Sequence, residues 1–205
     1  IVYQGGGIYD IDSGEPLWLN TIPTQKAARL LEELEKLDYC ENLCYFNDEC
    51  NCARPSEYVD YFCQICGVPY HSTNMPLSKY ITENDVQPVK ILSLMMPKHT
   101  DEFLEYGRRA AGSGMVFTRS HKSVVEILPL GINKGEAARR ICAEYGVDKS
   151  EVIALGDAEN DASMLEFAGL GIAPATALTA LKAVAGAVGG TIDRHSEAWL
   201  IDTSG

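Results

Sequence analysis

The sequence predicts an α/β protein in which a core of strands and helices is interrupted by a second, inserted α/β domain. Three observations carry this. Residues 152–155 are four consecutive apolar residues closed by Gly156, the composition of a strand covered on both faces. Helical periodicity stands on either side of it, at Ala137, Ala138, Ile141, Cys142 and Tyr145 before and at Met164, Leu165 and Phe167 after. Between residues 43 and 128 the pattern changes to alternating segments around 43–52, 89–95, 115–117 and 124–128, which read as strands of a mainly antiparallel sheet.

Taken in order, residues 1–3 read as a strand. The run Ile8-Tyr9-Asp10, then Ser13-Gly14-Glu15 before Leu17, reads as a β-hairpin with acidic and small residues at its bend. A helix is expected over 23–37, with Thr21 or Thr24 near its cap and Ala27, Leu30, Leu31, Leu34 and Leu37 on one stripe. Helices over 55–66 and 99–111 are expected to cover one face of the antiparallel sheet, and residues 70–75 to form a loop. The next helix, 135–145, begins beside Lys134 and stops at Gly146. Residues 170–173 are expected as a last strand and 177–188 as a final helix. The organisation is therefore core over 1–18, inserted domain over 19–127, and core again over 128–205.

Composition narrows the partners. With 29 acidic against 17 basic residues the net charge is −12, a surface that repels nucleic acid and anionic membranes. No apolar run approaches membrane-spanning length, and the start lacks the layout of a secretion signal, so a cytoplasmic location is expected. Six of the seven cysteines fall between Cys40 and Cys66. A zinc cage would gather four thiolates from such pairs. Cys63 and Cys66, however, lie one helical turn apart, and Cys44, Cys50 and Cys52 lie where alternate strand residues form core, which favours buried reduced thiols. His71, His99, His121 and His195 form no constellation.

The chemistry concentrates after residue 131. Asp157 follows Gly156 at the carboxyl end of a strand, the edge where open α/β sheets collect ligands, and Asp161 follows four residues later. Two carboxylates with Asn160 between them are hard oxygen ligands, which favour Mg²⁺ and leave positions for phosphate. Lys134, at a helix start, supplies a fixed cation for a phosphoryl group whose charge shifts during transfer.

At these residues the sequence resembles a known family. Asn133-Lys134-Gly135, then Gly156-Asp157-Ala158-Glu159-Asn160-Asp161 and Met164-Leu165-Glu166-Phe167-Ala168-Gly169, resemble the third and fourth motifs of the haloacid dehalogenase superfamily, specifically its Cof-like phosphatases with a large α/β cap. The resemblance extends weakly to residues 1–12 and 125–130. It implies a Rossmannoid core with an inserted cap, and a Mg²⁺-dependent phosphatase acting on a small phosphorylated metabolite through a phosphoaspartate. Asp157 would be a metal ligand, with Asp161 completing or supporting the metal site. Asn160 would orient the phosphoryl group, and Lys134 would be the catalytic cation that neutralises nucleophile and phosphate.

The family's first motif, Asp-x-Asp-x-Thr at the end of a buried strand, is not matched. Asp10-Ile11-Asp12 follows three glycines and continues to Ser13-Gly14, and Thr118 reads as a cap residue rather than the second motif. No nucleophile is assigned in this chain, which begins at Ile1 without an initiator methionine. The expectation is that a segment carrying both motifs lies upstream, that the core sheet is incomplete without its central strands, and that the chain alone is inactive and prone to associate as a homodimer. The alternatives are a non-catalytic relative that binds phosphorylated ligands or a partner chain through the cap, and a phosphotransferase or phosphomutase, which shares every residue named here.

Overall fold

The computed structural model describes residues 2–177 and 179–189. It divides into two units: Gly6–Ile132 is one, and the residues on either side of it, Ile1–Gly5 and Asn133–Gly205, belong to the other.

The Gly6–Ile132 unit opens with β1 (Gly7–Tyr9) paired antiparallel to β2 (Pro16–Leu19). The bend is closed by Asp10, whose Oδ1 accepts from the backbone N–H and the hydroxyl of Ser13, both at 2.8 Å. α1 (Thr24–Leu34) starts after Pro23 and buries Ala27, Leu30, Leu31 and Leu34. It ends three residues short of the predicted Leu37, because the amides of Lys36 and Leu37 bond to carbonyls three residues back and tighten the last turn. Neither threonine caps it; the Thr21 and Thr24 hydroxyls donate to Gln87 and Asp85. β3 (Cys40–Phe46) and β4 (Glu49–Cys52) form a hairpin whose two turn residues, Asn47 and Asp48, have φ of 52° and 59°, as a two-residue type I′ turn requires. α2 (Glu57–Cys66) is capped by Ser56, which accepts the Val59 N–H, and is stopped by left-handed Gly67.

Residues 70–75, expected as a loop, begin with a short strand, β5 (Tyr70–Ser72), parallel to β4. α3 (Leu77–Glu83), β6 (Lys90–Met95), α4 (Thr100–Ala111), β7 (Met115–His121) and β8 (Val124–Pro129) complete the unit. The six strands run in the order β5-β4-β3-β6-β8-β7, antiparallel except for β4 and β5. β6 shows how the sheet is covered. Ile91 and Met95 pack with Leu30, Ile81 and Phe103 from α1, α3 and α4, while Leu92 and Leu94 pack with Val59 and Cys63 from α2. The helices expected together on one face, α2 and α4, therefore lie on opposite faces. α2 presents Val59 and Cys63 to residues of one strand parity and α4 presents Phe103 to the other.

In the second unit, residues 3–5 are a 3-10 turn rather than a strand, with Tyr3 and Gln4 in the left-handed region. α5 (Lys134–Tyr145) is capped by Asn133, whose Oδ1 accepts the Glu136 N–H at 2.8 Å, and ends at left-handed Gly146. β9 (Ile153–Leu155), α6 (Ala162–Phe167), β10 (Leu170–Ala173), α7 (Thr179–Val184) and β11 (Ala187–Val188) follow. The sheet is parallel, in the order β11-β10-β9. The predicted final helix is thus shorter than expected: Gly186 follows its end, and Ala187 and Val188 pair with Ile172 and Ala173 instead. Ala154, Leu165, Ala173, Ala177 and Leu181 form the small core. β9 is not covered on both faces among the described residues: Ile153 and Leu155 are 63% and 55% exposed. His195 lies outside the described residues.

Candidate metal and phosphate site

β9 ends at Gly156, whose N–H continues the parallel ladder to the Ile172 carbonyl at 3.1 Å. The chain then leaves the sheet through Asp157 and Ala158 into a 3-10 turn, Glu159–Asp161, that leads into α6. Asp161 folds back under this loop, and its Oδ2 accepts the backbone N–H groups of Asp157 and Ala158, both at 3.0 Å. Gly156 is what permits the fold-back: a Cβ there would lie 2.4 Å from the Cβ of Asp161.

The other oxygen of Asp161 accepts from the Lys134 ammonium. That contact joins α5 to the loop after β9, and a second contact fixes its geometry. The Gly135 N–H donates to Ser163 Oγ at 3.1 Å, and a Cβ on Gly135 would lie 2.2 Å from the Ser163 carbonyl oxygen, so the start of α5 is seated directly on the start of α6. Asp161 is buried. Burial raises its pKa, but the Lys134 ammonium and the two backbone N–H groups outweigh burial and hold the carboxyl below its ordinary value. Asp157, by contrast, is exposed at the carboxyl end of β9. Asn160 donates its side-chain amide to Gln4 Oε1 at 2.8 Å.

The structure therefore brings Lys134, Asp157 and Asp161 to one loop and ties Asn160 to the turn at residues 3–5. Two residues absent from the sequence reading help build the arrangement. Ser163 seats the lysine helix and Gln4 anchors Asn160; neither carries a local sequence signal, since both act across a large separation along the chain. A recess of about 260 Å³ lies beside this loop, lined by Asn133, Glu136, Arg139, Ser163, Glu166 and Phe167, but Lys134, Asp157 and Asp161 do not line it.

The donor set fits Mg²⁺. Asp161 is already engaged by three donors, which leaves Asp157 as the accessible carboxylate, and Mg²⁺ takes one or two protein carboxylates with water and phosphate in its remaining positions. Among the described residues no group of three or more His, Cys, Asp and Glu side chains is gathered to hold an ion. The cysteines form no cage either: all seven are free thiols, and Cys44, Cys50, Cys52 and Cys63 are buried in the cores of the six-stranded unit. His71 faces Glu49, His99 stacks on Tyr39, and His121 accepts the Ser123 N–H.

An α/β unit inserted into a parallel-sheet unit, whose strand-end aspartate loop is tied to a helix-start lysine, defines a class: a Rossmannoid core of haloacid-dehalogenase type with an α/β cap insertion. Residues 1–201 match the family model of haloacid dehalogenase-like hydrolases, and the chain belongs to that family. It is 44% identical over 62 residues to the 5-amino-6-(5-phospho-D-ribitylamino)uracil phosphatase YitU of Bacillus subtilis, a match spanning 30% of this chain and 23% of that protein. A longer match, 27% identical over 157 residues, covers 76% of this chain and 26% of the chloroplastic endoribonuclease YBEY of Arabidopsis thaliana. These matches span only about a quarter of the length of either relative. Among solved structures, a haloacid dehalogenase-like hydrolase from Bacteroides thetaiotaomicron superposes with a TM-score of 0.83 at 25% identity, covering 99% of this chain and 75% of that one. A protein from Thermotoga maritima shares the fold with the same TM-score at 23% identity, covering 98% and 73%. Among the described residues no helix is long and apolar enough to cross a membrane.

Proposed function

We propose that this chain carries the lysine and metal half of a Mg²⁺-dependent phosphomonoesterase site, with Gly6–Ile132 serving as the cap. The observation that carries the reading is the position of Asp161, fastened between Lys134 and the N–H groups of Asp157 and Ala158, which leaves Asp157 accessible at the strand end. Asp157 is the metal ligand in this reading, and Asp161 supports the metal site by shaping the loop. Lys134, held at one point by Asp161, offers its remaining N–H donors to a phosphoryl oxygen and to the nucleophilic carboxylate. Asn160, anchored on Gln4, orients the phosphoryl group. When bound, Mg²⁺ supplies charge neutralisation for the phosphoryl oxygens.

The phosphoryl acceptor in this reading is an aspartate, and passage through a phosphoaspartate splits one hydrolysis into two easier displacements. The substrate class is a small phosphorylated metabolite, a sugar phosphate or a nucleotide-type phosphate. Support comes from relatives named as phosphatases in Bacillus subtilis and from the phosphoglycolate phosphatase of Methanopyrus kandleri, 44% identical over 57 residues. Seven unpaired cysteines suit a reducing compartment such as the cytoplasm.

The test is to restore an upstream segment and assay a panel of sugar and nucleotide phosphates with Mg²⁺ and with EDTA. Turnover is expected only with the metal, and Asp157→Asn and Lys134→Met should each reduce it by about 100-fold or more. Binding of Mg²⁺ and a phosphate mimic without turnover in the full-length protein would favour a non-catalytic relative, and product found on an added alcohol would favour a phosphotransferase.

A further inference from the structure

The α2 face of the six-stranded sheet is only partly covered. α2 packs Val59 and Cys63 against Leu43 of β3, Cys50 and Cys52 of β4 and Leu92 and Leu94 of β6, and beside it a cavity of about 810 Å³ remains, bordered by Lys90, Leu92 and Leu94 of β6 with Val124 and Glu126 of β8. Tyr45, Tyr58 and Phe62 wall it with aromatic surface, and Tyr61 and Ile65, on the outer flank of α2, stand exposed at its mouth. In this apolar setting sits an ion pair. Lys90 Nζ lies 3.0 Å from Glu126 Oε2 and 4.5 Å from the centre of the Tyr45 ring, and both charged side chains are largely buried. A buried pair on a sheet face contributes little net stability compared with apolar residues of the same size, so the fold alone does not account for it.

We infer that this cavity is a binding site for a flat heterocyclic ring that presents a carbonyl next to an N–H, as a lactam or cyclic imide does. The ammonium of Lys90 donates to the ring carbonyl, the ring N–H donates to the carboxylate of Glu126, and the aromatic walls cover the ring faces. The volume lies in the range that encloses a one- or two-ring ligand. All the lining residues belong to Gly6–Ile132, so the inference stands apart from the phosphate chemistry assigned to the other unit.

Fluorescence titration of the whole chain with lumazine, a bicyclic ring bearing such edges, tests it against 1,3-dimethyllumazine, whose ring N–H groups are blocked. Lumazine should bind saturably, and the dimethyl compound at least about tenfold more weakly. The double variant Lys90→Met, Glu126→Leu, which removes both charges together, should lose lumazine to the same degree, and Tyr61→Ala at the exposed mouth should weaken it several-fold. Absence of saturable binding, or equal affinity for the two ring compounds, would overturn the assignment, and so would a folded double variant that binds as well as the parent chain. Should the double variant fail to fold, the comparison of the two compounds on the unaltered chain decides the matter alone.

Discussion

β6 and β9 are both short aliphatic strands, and they sit in opposite circumstances. β6 is the third of six paired strands from one end and the fourth from the other; Ile91, Leu92, Leu94 and Met95 are all buried, with helices over both faces. β9 pairs only with β10 among the described residues, and Ile153 and Leu155 are mostly exposed while Ala154 alone is buried. The six-stranded unit is held by packing. The loop after β9 is held by one carboxylate, one ammonium and two glycines that permit close approach, and the candidate chemistry lies there.

The comparison is tested most strongly by equivalent truncations. Ile91→Ala or Leu94→Ala should destabilise the six-stranded unit by about 2–5 kcal/mol, whereas Leu155→Ala should change stability by no more than about 0.5 kcal/mol. Hydrogen exchange read peptide by peptide measures the two units separately, and a large loss for Leu155→Ala would show that β9 is covered after all. Next in size is Asp161→Ala, which leaves two loop amides and Lys134 without their acceptor. It should cost about 2–3 kcal/mol locally, seen as faster exchange at Asp157 and Ala158 with the six-stranded unit unchanged. Gly156→Ala should cost about 1–3 kcal/mol by driving a methyl group into Asp161, and an unchanged melting curve would mean that the loop relaxes freely.

The smallest effect concerns reactivity rather than stability. Burial raises the thiol of Cys52 to about 11 and that of Cys63 to about 12, so both stay protonated far above neutrality and form thiolate only as pH approaches those values. Alkylation of the native protein at about pH 8 should modify exposed Cys66 and spare Cys52 and Cys63. Equal labelling of all three would indicate that α2 leaves the sheet readily.

Local signals made much of this legible. α5 was readable because Lys134, the apolar stripe and Gly146 mark its start, face and end within thirteen residues. The hairpin at residues 7–19 was readable from its acidic and small bend, and β9 from its apolar run. Features that depend on distant partners were not. Which face α2 and α4 cover depends on strand parity in the assembled sheet, and α3 offers only Leu77, Ser78 and Ile81 to the interior, too few for a periodic pattern. The pairing of Ala187 and Val188 is decided by β10. Lys134, Asp157, Asn160 and Asp161 stood out as candidates in the sequence, with roles that the family resemblance implied. Which carboxylate turns inward onto the loop amides was not legible, because nothing in the Gly-Asp-x-x-x-Asp spacing tells it.

That inward turn has a consequence for ligand affinity. One buried carboxylate fixes two consecutive amides and the tip of a lysine, so the loop owes its shape to protein atoms alone, and its conformational entropy is surrendered when the chain folds. Under the proposed function, an anion or cation arriving there would meet a loop already set in place, and its binding energy would not be diminished by the need to organise one.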